Sequence, residues 1–259
     1  MLNLTSNNYY TLEANQAYWS ASFVKSMLDC PSRSIAELNG QYTRPETQSI
    51  LIGAYVDAYF EGSLETFKET HPELFKRDGA LKAEYVKADA MIRRAERDPI
   101  FMEYMQGSKQ VILTGSIEGI PFRAKLDVFW PGKRIVDLKT VKDMEPMYRA
   151  GQGRLSFAEY WNWPLQMAIY QAVEGHNLPC YLAVITKEEP PDIAVIEIPQ
   201  HTLDAEMEVL KEKLPYFDAI RCGVIEPPRC EKCDYCRATK RIVGAISLDD
   251  LVEFEGGAI

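Results

Sequence analysis

The stretch from Arg123 to Thr140, RAKLDVFWPGKRIVDLKT, restricts the fold more than any other part of the chain. Two runs rich in aromatic and β-branched residues flank Pro131-Gly132, which predicts two antiparallel strands joined by a tight turn. Side chains alternate along a strand. Phe122, Ala124, Leu126 and Val128 therefore share one face, and Arg123, Lys125 and Asp127 the other. In the second strand Val136 and Leu138 oppose Asp137 and Lys139 in the same way. With a loop from Pro131 to Lys133, Trp130 faces Arg134, Asp127 faces Asp137 and Lys125 faces Lys139. Directly opposed Cβ atoms lie roughly 4.5–5.5 Å apart, so like charges there need compensation. A slip of one residue would send the two Asp residues to opposite faces.

The rest of the chain supplies helices and further strands. A short helix opens at Ser20, with Phe23, Val24, Met27 and Leu28 on one side. PETQSILIGAYVDAYFEG reads as a second helix, with Pro45 in its first turn and Gly62 past its end. Residues 80–98 form a third, striped by Tyr85, Ala88, Ile92 and Ala95 and ended by Pro99. QVILTGSIEG precedes the hairpin as a strand, and a helix spans residues 155–175 after it. CYLAVITK and IAVIEI are two more strands. HTLDAEMEVLKEKL is a helix with Leu203, Met207, Leu210 and Leu214 on one face. The order predicts one mixed α/β (α+β) domain over 1–259: a helical part to about 105, a core over 106–221, and a Cys-bearing tail over 222–259.

Two facing carboxylates can share a divalent cation that prefers oxygen ligands, such as Mg²⁺. Such an ion polarises a phosphoryl oxygen and acidifies a bound water, and a neighbouring Lys can stabilise developing charge. Asp-x-Lys is equally at home on a solvated, mixed-charge sheet face. Gln166 and Tyr170 share one face of the following helix; alone they would read as a solvated Gln and a core Tyr.

In combination, KLD (125–127), IVDLKT (135–140) and QMAIY (166–170) resemble the PD-(D/E)xK nuclease superfamily, in its RecB-like and RecE-like exonuclease branch. SASFVKSMLDCP and LIGAYVDAYFEG are similar to its N-terminal segments, so the resemblance spans most of residues 20–240. It implies a restriction-endonuclease-like mixed sheet flanked by helices. It also implies Mg²⁺ or Mn²⁺ on Asp127 and Asp137, a catalytic Lys139, and Gln166, Tyr170 and Lys125 lining the DNA. Many relatives carry a metal-binding His where this chain has Asp57, and the three His, at 71, 176 and 201, do not fit that place. Asp57 either offers the metal a carboxylate there or is a solvated helix residue. The implied activity is exonuclease digestion of double-stranded DNA ends in phage or prophage recombination, with a single-strand annealing partner and a ring-shaped homo-oligomer. Alternatives are a DNA-processing nuclease of the CRISPR-adaptation or helicase-associated kind, and an inactive DNA- or protein-binding member.

A net charge of −9 argues against a passive nucleic-acid coat protein but leaves room for a metal-assisted enzyme. No apolar run approaches a membrane span, and the first twenty residues lack a signal-peptide pattern, which predicts a cytoplasmic protein. There, six Cys do not form a disulfide framework. Cys230, Cys233 and Cys236 have an iron–sulfur spacing that requires a fourth thiolate, with zinc as the alternative. Spacing leaves Cys30 and Cys222 as candidates for it. Resemblance to iron–sulfur RecB-like nucleases implies Cys30 and a [4Fe–4S] cluster tying the two ends together. Cys180 reads as a buried apolar residue. Arg229, Arg237, Lys240 and Arg241 form a local basic group that either meets phosphate or faces solvent.

Overall fold

The computed structural model describes residues 2–45, 47–242, 244, 245, 247 and 248. In chain order it forms α1 (Leu12–Ala17), α2 (Ala21–Asp29), α3 (Pro31–Leu38), α4 (Gln48–Glu61), α5 (Leu64–Thr70), α6 (Ala83–Glu96) and α7 (Pro99–Tyr104). Then come β1 (Ser108–Ile117), β2 (Ile120–Trp130), β3 (Arg134–Val141), β4 (Met147–Arg149), β5 (Gly153–Leu155), α8 (Phe157–Tyr160) and α9 (Trp163–Glu174). β6 (Cys180–Thr186), β7 (Ile193–Ile198), α10 (Gln200–Arg221) and α11 (Asp234–Ala238) complete it. Contacts divide the chain into two compact units, one of residues 1–21 and 45–212, the other of 22–44 and 213–259. These do not coincide with the consecutive parts expected at 1–105, 106–221 and 222–259, because packing joins stretches distant in sequence.

The first unit holds a five-stranded sheet of order β1-β2-β3-β6-β7. β3 and β6 run parallel, and the other neighbours are antiparallel. β6 is buried at six of its seven positions, as an apolar strand covered on both faces must be. On one face Val128, Val136, Leu138, Ala183 and Ile185 pack with Tyr55 and Val56 of α4, Tyr85, Ala88 and Ile92 of α6, and Phe101 of α7. α9 packs on β1 and β2. Its Gln166 reaches Asp137, which alternation puts on the face away from Val136 and Leu138.

The hairpin has the register expected from its turn. Trp130 pairs with Arg134, Phe129 with Ile135 and Val128 with Val136, and Gly132 takes the left-handed φ of 71° that the turn requires. Helix boundaries differ in instructive ways. α4 starts at Gln48 because the Thr47 side chain caps it by accepting from the Ile50 N–H, which leaves Pro45 outside the first turn. Pro99 does not merely end α6; with Asp98 as its cap it starts α7. The helix expected over 155–175 is two: Ser156 and Glu159 form a capping box for α8, and Asn162, at φ 52°, breaks the chain before α9. The β4–β5 hairpin before them was not expected. In α2, Val24 and Met27 are buried but Leu28 is exposed, because the buried positions follow i, i+3 from Ala21. α10 continues through Pro215 to Arg221, past the Leu214 expected to close it.

In the second unit α3 packs on α11, and Tyr42 meets Tyr235 edge-on with ring centroids 5.3 Å apart. The Ser26 and Ser34 hydroxyls lie 2.5 Å apart, and Arg44 pairs with Glu37.

Candidate functional site

The sheet opens where the acidic residues lie. The β2–β3 ladder ends at Val128 and Val136, one pair short of Asp127 and Asp137. Beyond that point another segment takes the edge of β2. The Trp19 N–H donates to the Pro121 carbonyl and the Arg123 N–H to the Trp19 carbonyl, each at 2.8 Å. Lys125 and Lys139 are therefore not a ladder pair, contrary to the simple extrapolation of the register. On its other side the β1–β2 ladder pairs Lys109 with Val128 and Val111 with Leu126, and skips Gln110, which has φ 53°. Asp127 thus has no ladder partner on either side among the described residues. Its carboxylate fills both gaps: Oδ2 accepts from the Leu138 N–H at 3.0 Å and Oδ1 from Gln110 Nε2 at 3.3 Å.

Asp137 is 2% exposed. Its Oδ1 accepts from Gln166 Nε2 at 2.9 Å, and its Oδ2 pairs with the Lys139 ammonium. Oδ2 has no hydrogen bond of good geometry besides that ion pair. The local charges are unbalanced towards acid. Burial raises the Asp127 carboxyl well above the usual range, and Asp137 and Asp57 raise it further against Lys139 and the Leu138 N–H. Asp57 is pushed up to about 7, first by burial and then by Asp137 and Glu61, while Lys139 and Lys125 oppose the shift. Burial pulls the Lys139 ammonium down, but Asp137, Asp127 and Asp57 outweigh it and raise its pKa.

Asp57 arrives from the other side of the chain by way of α4. One turn before it stands Gly53, where a Cβ would come within 3.2 Å of Thr140 Oγ1 on β3. The missing side chain lets helix and strand approach. An open cleft beside Asp57 and Asp127 is lined also by Glu61, Lys109, Gln110 and Leu138. Gly53, Glu61, Lys109 and Gln110 were not singled out from sequence. A Gly four residues before an acid on a helix was the one available signal for Gly53.

Gln166 and Tyr170 lie on one face of α9, and Gln166 Nε2 also contacts the Tyr170 hydroxyl at 3.1 Å. Burial first, then Asp137 and Asp127, keep that hydroxyl protonated, its pKa far above the ordinary tyrosine value. The Lys139 ammonium sits 5.6 Å from the Trp163 ring centroid. Lys125 is drawn away instead, with its ammonium 5.2 Å from the ring centroid of the exposed Tyr10. Arg123, the other cation of the hairpin, is buried and structural. It donates to the Tyr9 carbonyl and Asn15 Oδ1 and stacks over the Tyr9 ring. The structure therefore brings together Asp57, Asp127, Asp137, Lys139, Gln166 and Tyr170, with Lys125 turned towards Tyr10.

A second group lies in the other unit. The thiols of Cys30, Cys230, Cys233 and Cys236 are all within 4.8 Å of one another, a set able to hold a metal ion. Cys30 caps α3 and Cys233 caps α11. Burial pushes the Cys30 thiol up to about 12. Cys230 goes down to about 7 despite burial, because the Lys232 and Cys233 N–H groups donate to it. Cys222 is exposed beside Asp218 and outside the group, and Cys180 is fully buried in β6. The nearby cations are engaged locally: Arg229 with Glu231 and the Cys236 carbonyl, Arg237 with Asp234, and Lys240 with Glu231. Among the described residues no helix is long and apolar enough to cross a membrane.

Residues 20–239 match the family model of a PDDEXK-like domain of unknown function, DUF3799. The chain is 38% identical to a protein from Eubacterium rectale, assigned as a candidate exonuclease, whose crystal structure superposes with a TM-score of 0.93. That match covers 97% of this chain and 98% of the other. Another solved structure, SSO0001, is 14% identical over 82% of this chain and 92% of its own, with a TM-score of only 0.31, and carries no argument. No curated protein matches the sequence.

Proposed function

Since the chain belongs to the PDDEXK-like family, a nuclease family, we propose that it is a divalent-metal-dependent exonuclease acting on the ends of double-stranded DNA. The observation that carries this reading is the acid-rich notch where β2 and β3 part. Three carboxylates there, Asp57, Asp127 and Asp137, all act on the Lys139 ammonium, which forms an ion pair with Asp137. Two of those acids have raised pKa values, and Asp137 Oδ2 has only its ion pair with Lys139, which fits a site that a divalent cation would neutralise. Oxygen donors suit Mg²⁺ or Mn²⁺.

Asp127 and Asp137 would hold the ion, with Asp57 as a further oxygen donor. Bound there, it supplies Lewis-acid polarisation of the phosphodiester and a lowered pKa for a bound water. The chain's own groups do the positioning. Gln166 fixes one oxygen of Asp137, and the Leu138 N–H and Gln110 fix both oxygens of Asp127. Lys139, kept charged, would stabilise negative charge on the attacked phosphate. Tyr170 keeps its proton and is available as a hydrogen-bond donor to the DNA backbone. Lys125 would reach phosphate only by leaving Tyr10.

Resemblance of KLD, IVDLKT and QMAIY to the RecE-like branch supports a role of that kind in phage or prophage recombination. A ring oligomer and a single-strand annealing partner go with it. The test is digestion of linear and of covalently closed circular duplex DNA in Mg²⁺, with Lys139→Ala alongside. Release of nucleotides from the linear form alone is the expected result. Equal attack on both forms refutes an exonuclease, and an unimpaired Lys139→Ala refutes the site.

A further inference from the structure

We infer that the Cys30, Cys230, Cys233 and Cys236 thiolates bind one tetrahedral zinc ion, and that the site does not fit the [4Fe–4S] cluster implied by resemblance. Three sulfur separations carry the argument: 3.5 Å for Cys30–Cys236, 3.8 Å for Cys30–Cys233 and 3.9 Å for Cys230–Cys236. All four sulfurs lie within 4.8 Å of one another. Disulfide bonds are excluded, since they need sulfurs about 2.05 Å apart. A zinc ion with bonds of about 2.3 Å in tetrahedral geometry places its sulfurs about 3.8 Å apart, which these separations bracket. In a four-iron cluster each thiolate binds a different corner of a cube of irons and sulfides, along bonds that diverge. Four sulfurs all within 4.8 Å of one another leave no room for that cube.

The backbone around the thiols has the matching form. The Cys233 N–H donates to Cys230 Sγ at 3.3 Å, and the Cys236 N–H to Cys233 Sγ at 3.4 Å. The Arg33 N–H points at Cys30 Sγ at 3.5 Å. These donors hold the sulfurs in place and favour thiolates, the form that a metal needs. All four positions are protein ligands, with Cys30 and Cys236 buried, so the site is closed and structural rather than catalytic.

The unit that holds the thiols also needs such a clamp. Its stretches, 22–44 and 213–259, total about 70 residues, a size at which a single core rarely suffices without a staple. Among its described residues there is no strand; its complete helices, α3 and α11, are short. A metal joining Cys30 to Cys230 closes a loop of about 200 residues and removes the corresponding freedom from the unfolded chain.

The inference is independent of the nuclease reading. It is tested on full-length protein expressed with both iron and zinc supplied, purified without oxygen and kept in Mg²⁺. Metal and acid-labile sulfide are then measured, also in Asp137→Asn so that the carboxylates do not contribute. One zinc per chain, no sulfide and a colourless solution are expected. Replacement by cobalt should give the visible bands of a tetrahedral thiolate complex. Cys30→Ser should abolish them and Cys222→Ser should not. About four irons with sulfide, one iron without sulfide, or no metal would each overturn the inference.

Discussion

The notch between β2 and β3 and the thiol quartet are both groups of potential metal ligands drawn from distant parts of the chain, yet they are built in opposite ways. The notch is made by breaking a sheet: Asp127 has no ladder partner among the described residues, and burial and then its acidic neighbours raise its pKa. The quartet is made by adding bonds, with N–H groups aimed at sulfur and two of its members capping helices. Hard oxygen donors line a cleft that a small hydrated cation would suit. Soft donors that fill all four positions of a metal leave no open one. On the functions proposed above, one arrangement would keep charges in tension for chemistry, and the other would use its ligands to hold structure.

The largest expected effect that would break this contrast belongs to Lys139→Ala. Loss of the ammonium paired with Asp137 should slow DNA hydrolysis by roughly 10²–10³-fold or more, with far-UV circular dichroism and zinc content unchanged. A variant that loses zinc as well would mean that the two groups are not separate devices. Cys236→Ser should do the reverse, removing the bound zinc and lowering the melting temperature by on the order of 5 °C. Asp137→Asn, inactive by the same argument, should keep both the zinc and the melting temperature. A smaller effect is expected for Gly53→Ala. Helix propensity favours Ala, but the new Cβ meets Thr140 Oγ1 at 3.2 Å and should displace Asp57. The rate should fall about tenfold, short of the roughly 10² that a 1 Å misplacement costs. Thr140→Ala should restore part of it, measured as a double-mutant cycle. Additive losses would show that the contact is not what sets Asp57.

The last effect is on stability. Asp57 has a folded pKa of about 7 against an ordinary 3.8. A raised carboxyl favours the folded state fully below its unfolded value and loses that advantage as pH rises through the folded one. Protein in Mg²⁺-free buffer should therefore become less stable between pH 4 and 7, and Mg²⁺ should flatten the loss. Lys139, also raised, acts above its ordinary 10.5 and leaves this window alone. Thermal melts of wild type and Asp57→Asn with identical slopes would dispose of the assignment.

Much of the site was legible because it is local. A Pro-Gly turn and strict alternation were enough to set the pairing of Trp130 with Arg134, and with it the placement of Asp127 near Asp137. The helical spacing of Gln166 and Tyr170 was enough to put them on one face. What could not be read was contact between distant stretches. Nothing near Lys125 says that Trp19 will occupy the edge of β2 and stop the ladder before Lys139. Nothing in the spacing of the tail chooses Cys30 over Cys222; the packing of α3 on α11 does. The β4–β5 hairpin and the break at Asn162 were missed for a different reason. Short strands and a single left-handed residue carry too little pattern to oppose the helical reading of 155–175.

The turn at Pro131–Lys133 has a consequence beyond joining two strands. It is the ruler against which the acidic residues are indexed. One residue more or less within it would rotate Asp137 and Lys139 through the sheet to the face now held by Val136 and Leu138. Every side chain would survive such a change, and the chemistry would not. A solvent-facing bend that tolerates substitution should therefore be intolerant of length, and an insertion that shifts the register should cost stability along with any activity, because it drives Asp137 and Lys139 against the apolar core.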